Sequence, residues 1–134
     1  MNKAKQRQLV LKSMRKIYYG NTSYRYDWMG YLITDDNKPS YHHIVKREEL
    51  AEANQPIDAT VENGAYLGKR SHEMLHKLEL IDHDLYECWN DIFNLIANMK
   101  VQPVQDVWDT IFKLREISEN TLIEHKKSKS KINK

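Results

Sequence analysis

The chain opens on a segment in which Val10, Met14, Ile17 and Tyr18 recur at helical spacing among lysines and arginines. That spacing puts them on one side of a helix predicted over Ala4–Tyr19, and Gly20-Asn21-Thr22 ends it. Residues 26–34 are instead dense in aromatic and branched side chains, the composition of a strand. Asp35-Asp36-Asn37-Lys38-Pro39 supplies turn chemistry, so residues 40–45 are expected to return as the second strand of a hairpin. A polar stretch follows, with a short helix expected through Arg47–Ala53 that Pro56 stops. Ala65-Tyr66-Leu67, directly after Asn63-Gly64, reads as one more short strand.

From Ser71 onward the period is helical. Ser71 is placed to cap a helix reaching about Leu80, and Asp82 or Asp84 starts the next. The stripe of that second helix is Leu85, Cys88, Trp89, Ile92, Phe93, Ile96 and Met99. Pro103 suits the first turn of a last helix, whose stripe is Val104, Val107, Trp108, Ile111 and Leu114. Both stripes are expected to be core. Lys126-Lys127-Ser128-Lys129-Ser130-Lys131 is low-complexity and is expected to fray. The pattern predicts an α+β protein with one domain over residues 1–134. A strand-and-helix module sits at about 28–80, a helical part at 82–125 and a basic tail at 126–134.

A length of 134 residues suits one domain, and 40% hydrophobic with 30% charged residues is globular rather than disordered composition. No apolar run approaches the ~20 residues that span a bilayer, and no apolar segment of a secretory signal follows the basic start, so neither is expected. Cys88 stands alone, which excludes an internal disulfide and a cysteine-built zinc cluster and makes a reducing cytoplasm the expected address. The net charge of +2 hides an asymmetry. Residues 1–34 carry seven Lys and Arg against one acid, residues 126–134 five Lys and no acid, and the middle is acidic. Two basic ends suggest a polyanionic partner.

Four of the six histidines form a pattern. His42 and His43 are adjacent on a predicted strand, whereas His72 and His76 stand four apart on a predicted helix and project from one face. An i, i+4 pair offers two ligands to a transition metal, and a third imidazole from a strand completes three while leaving a position open for reaction. Adjacent strand residues point to opposite faces, so one of His42 and His43 can ligate while the other takes a proton from water. His83 and His125 have no such context.

His42-His43-Ile44, then Asn63, then His72-x-x-x-His76 resembles the HNH nuclease motif of the ββα-metal fold, with an Asn-to-His spacing similar to that of the colicin-type DNases. The resemblance covers roughly residues 28–80. It implies an HNH endonuclease, a metal-dependent hydrolase of phosphodiesters in nucleic acid, with double-stranded DNA the expected partner. His42, His72 and His76 would be ligands of one divalent ion, His43 the general base, and Asn63 the residue that ties down the long loop and so holds His43. Magnesium, manganese, nickel or zinc would be the cofactor; three imidazoles favour zinc or nickel, whereas the family's enzymes often use magnesium. Lys46, Arg47, Lys69 and Arg70 flank the motif and are the candidate phosphate grips. Where the colicin-type enzymes usually carry a carboxylate two residues before the first histidine, this chain has Ser40, so the tuning of His42 is expected to differ. An inert nucleic-acid-binding or inhibitor protein with a structural metal is the alternative.

Overall fold

The computed structural model describes residues 2–20, 25–54 and 58–132, with Arg47 and residues 130–132 described in their backbone alone. The architecture is α+β. In chain order it runs α1 (Lys3–Tyr19), β1 (Pro39–His43), α2 (Arg47–Glu52), β2 (Gly64–Gly68), α3 (Lys69–Ile81), α4 (His83–Met99) and α5 (Gln105–Ile132). β1 and β2 pair antiparallel, with Pro39 opposite Gly68 and His43 opposite Gly64. α3 leaves directly from the end of β2, so strand, loop, strand and helix form one continuous unit. α1 lies on β1, α4 packs on α3 and β2, and α5 closes over α3 and α4. No helix among the described residues is long and apolar enough to cross a membrane.

The expected hairpin between residues 26–34 and 40–45 does not form. β1 takes β2 as its partner, and residues 26–34 make only the isolated bridges of Tyr26 with Leu32 and, beyond them, Thr34 with Asn37. The reason is Asp27, whose carboxylate is fully buried. Its Oδ1 accepts from the backbone N–H of Met29 (3.0 Å) and Tyr31 (2.9 Å). Its Oδ2 accepts from the N–H of Gly68 (2.7 Å) and from the Ser71 hydroxyl. A loop whose donors are met by a side chain needs no ladder. Burial pushes the Asp27 pKa up, against the pull of all four donors.

Ser71 is therefore a buried latch partner rather than a cap: Gly68 holds the cap position of α3, with no side-chain bond there. Gly68 has to lack a side chain, because a Cβ would stand 2.3 Å from the Asn37 amide. Asn37 is itself buried, donating to Leu32 O (2.9 Å) and accepting from the N–H of Arg70 (2.9 Å).

The helical stripes are largely inward, as their period predicts. Met14 and Tyr18 of α1 are buried, while Ile17 is 40% exposed. Leu85, Trp89, Phe93 and Ile96 of α4 enter the core, and the Asp82 side chain caps the helix by accepting from the N–H of Leu85 (3.2 Å). Cys88 and Met99, expected inside, are exposed. Ile111 is buried, but Val104 at the mouth of α5 is exposed. The Trp89 indole donates to buried Ser118 of α5 (2.9 Å). Arg115 of α5 stacks on the Tyr31 ring at 4.5 Å and donates to Gly30 O, which fixes the 27–31 loop from its other side. α2 ends at Glu52, and Pro56 lies outside the described residues. The basic tail, read in the sequence as low-complexity, belongs to the last helix. The α5 backbone stays helical through Ile132, lysines and all, and Asn133 and Lys134 lie outside the described residues.

Candidate functional site

β1 and α3 bring four histidines to one cleft of about 620 Å³, closed on one side by Arg7 and Gln8 of α1. His42 points inward and is 3% exposed. His72 is half-buried and His76 exposed, one turn further along α3. Ring centres of His42 and His72 stand 5.5 Å apart, of His42 and His76 6.4 Å, and of His72 and His76 4.7 Å. Three imidazoles bound tetrahedrally at about 2.0–2.1 Å to one ion have ring centres roughly 5 Å apart, so the spacing of the three rings fits a metal. Among the described residues no three His, Cys, Asp or Glu side chains already have their donor atoms gathered on one point. The ring centres are assembled; the nitrogens are engaged with other partners.

Those partners are the residues the sequence did not disclose. The His42 Nε2–H donates to Oδ1 of Asn90 on α4 (3.0 Å), which leaves Nδ1 as the lone-pair nitrogen of the neutral ring. Asn90 sits on the buried face of α4 between Trp89 and Phe93, and a polar residue there has to find a partner. Its position one residue after Trp89 in an otherwise apolar stripe was the available signal. Ser40, two residues before His42, pairs with Nδ1 of His72 (2.8 Å). Nδ1 of His76 lies 3.8 Å from Glu79. In His72 and His76 alike, Nε2 is the nitrogen these contacts leave for a ligand. A ligand imidazole with its second nitrogen held by another group is the usual arrangement at metal sites.

The electrostatics suit the same use. Burial pulls the His42 pKa down to about 4; the Asn90 bond opposes this and the neighbouring imidazoles add to it. Burial, with His76 and His43, brings His72 to about 4 as well. Both rings are neutral at pH 7, the form a metal requires.

His43 lines the same cleft from the next position of β1. Its ring meets the Tyr41 ring edge-on at 4.8 Å, and the Tyr41 hydroxyl is fixed by Thr60, donating to its carbonyl (2.7 Å) and accepting from its N–H (3.0 Å). The Asn63 amide clasps Val45 from both sides, accepting from its N–H (2.8 Å) and donating to its carbonyl (3.1 Å), while Ile44 N–H donates to Asn63 O (2.9 Å). Asn63 thus closes the base of the loop two residues beyond His43.

The four basic candidates separate. Lys46 lines the cleft but is ion-paired to Glu79. Burial raises the Glu79 carboxyl, but the bond and charge of Lys46 together with His76 outweigh it, leaving the group below its usual value. Arg47 begins α2, and its side chain lies outside the described residues. Lys69 and Arg70 are exposed on the first turn of α3 and do not line the cleft. His83 pairs with Glu87 at the surface (3.3 Å), and His125 is exposed on α5. Comparison with family models, with curated proteins and with solved structures gives no match for this chain.

Proposed function

We propose that the protein is a metal-dependent endonuclease of the HNH type, acting on phosphodiester bonds of nucleic acid, with double-stranded DNA as substrate. The observation that carries this is the convergence of His42 from β1 with His72 and His76 from α3 on a cleft that His43 also lines. A structural metal needs no fourth imidazole at its side; a hydrolytic one needs a base.

His42, His72 and His76 would hold one divalent ion. When bound, that ion would stabilise charge on the phosphate and on the departing 3′-oxygen. His43, neutral, would take a proton from water as the water oxygen bonds to phosphorus and the bond from phosphorus to the 3′-oxygen breaks. Tyr41 on one side and the Asn63 clasp on the other keep its backbone and ring in place. Arg7 and Lys46, at the cleft wall, are the cations nearest a phosphate seated there. Zinc or nickel fits three imidazoles best in donor softness.

The test is nicking of supercoiled plasmid with Mg²⁺, Mn²⁺, Ni²⁺ or Zn²⁺ added to metal-stripped protein, alongside metal titration by calorimetry. Metal binding and cleavage that both vanish in His72→Ala and His76→Ala are expected. Tight metal binding without cleavage of any nucleic acid selects the inert, structural-metal alternative.

A further inference from the structure

α1 carries six basic residues and no acid over its whole length. Lys5, Lys12 and Arg15, all exposed, line a second concavity of about 650 Å³ together with Lys38. Leu9 and Tyr66 are part of its apolar wall, and none of its lining residues is acidic. Among the described residues neither these four cations nor Arg7 has a carboxylate within ion-pair distance, in contrast to Lys46 in the histidine cleft. The groove and the cleft share Gln8, Leu11 and Pro39, so they are neighbouring depressions on either side of one stretch of α1.

From this we infer that the α1 groove is a binding track for the sugar-phosphate backbone of nucleic acid, adjoining the histidine cleft. The inference rests on the nuclease reading for the identity of its ligand. Lys5, Lys12 and Arg15 fall at intervals of seven and three, which keeps them along one side of the helix. The ten steps of helix from Lys5 to Arg15 rise about 15 Å along the axis, the length of roughly four base-pair steps at ~3.4 Å each. Several uncompensated cations at that spacing match a polymer with a regular row of charges. A concave surface that adjoins a cleft suits a strand being led to one phosphate. An acidic lipid surface, planar, could not enter either depression. The flanking candidates Lys69 and Arg70 lie away from the cleft, which leaves α1 as the main source of free positive charge beside it.

The experiment measures binding of a fluorescein-labelled duplex of about 20 base pairs by anisotropy, in EDTA so that nothing is cut, across a series of salt concentrations. Each phosphate contact contributes about 0.9 to the log–log salt slope, or roughly fivefold in affinity near 0.15 M salt. The triple variant Lys5→Gln/Lys12→Gln/Arg15→Gln is therefore expected to bind about 100-fold more weakly, with a slope lower by about 2.7. Lys3→Gln/Lys16→Gln removes two charges from the same helix outside the groove and is expected to cost much less per charge. Three results overturn the track: affinity of the triple variant within about threefold of wild type; an equal loss per charge in the Lys3/Lys16 pair; or a loss seen only on phosphatidylserine–phosphatidylcholine vesicles and not on duplex. Wild-type protein that binds duplex through this groove yet cuts no nucleic acid with any metal supports the track and sinks the nuclease reading.

Discussion

Two clusters of polar groups flank the two-stranded sheet, one fully buried and one opening on a cleft, and they are built on opposite plans. At the Gly68 end of the ladder, the Asp27 carboxylate meets four donors, three of them backbone N–H groups, and each of its oxygens has two. At the His42 end, His42, His72 and His76 each have one nitrogen beside a partner and the other outside these contacts. The first arrangement has no remaining capacity for a ligand and serves to hold segments far apart in sequence. The second keeps lone pairs in reserve at the wall of a cleft. Burial alone does not mark a functional residue; unspent hydrogen-bonding capacity next to an opening does.

The contrast breaks most severely at the latch. Asp27→Ala leaves three backbone N–H groups without their acceptor and is expected to cost about 3–5 kcal/mol, lowering Tm by more than about 10 °C in a thermal melt. Asp27→Asn should rescue little of it, because either orientation of the amide turns its NH2 toward at least one backbone N–H that needs an acceptor. An Asn variant as stable as wild type would show that the latch does not depend on charge or acceptor count.

At the cleft the same kind of change should leave the fold and strike function. His43→Ala is expected to lower cleavage by roughly 10²–10⁴-fold while metal affinity, followed by calorimetry, stays within a few-fold of wild type. His42→Ala should lose both together. If the two variants behave alike, the division of labour between adjacent histidines is wrong.

A smaller effect is expected one shell out. Asn90→Leu removes the partner of the His42 Nε2–H and keeps a side chain of similar bulk. Metal affinity should fall about 10–100-fold with the ion's stoichiometry unchanged. Retention of full affinity would mean that Asn90 merely fills the core.

The smallest effect concerns pH in metal-free protein. His42 and His72 have folded pKa values of about 4, below the ordinary value near 6.5, so the unfolded chain binds more protons in between. Their contribution is complete above about 6.5 and is lost as pH falls through 4. Water at the mouth of the cleft screens the half-exposed His72, so we expect a loss of about 1–2 kcal/mol, read as a decline in Tm between pH 7 and 4.5. His42→Gln should flatten that decline; an unchanged slope would assign it to other groups.

What the sequence disclosed and what it withheld follow from the range of the forces involved. α1, α4 and the i, i+4 relation of His72 and His76 are local, and a period of 3.6 exposes them. The partner of β1 is not local. Residues 26–34 have the composition of a strand and sit closer in sequence than Gly64–Gly68, whose five residues are all buried and show no alternation. One side chain, Asp27, diverts the nearer candidate into a loop. Ser71 looked like a helix cap because capping and latching use the same hydroxyl. Asn90 was hidden by its apolar neighbours, and its role depends on His42, forty-eight positions earlier. The residues of the motif were visible as types at intervals, whereas the groups that orient them come from α4 and β1 and required the fold.

α5 is 28 residues long, about 42 Å of helix, yet the last side chain it packs against the core is Leu122. Residues 123–129 are exposed on all sides. Their backbone amides should therefore exchange with solvent deuterium through local opening of the last turns, while those around Trp89 and Ile111 exchange only when the whole domain opens. Trypsin meets Lys126, Lys127 and Lys129 in that locally opening zone. Brief digestion of the native protein should clip the basic end from a body that stays folded.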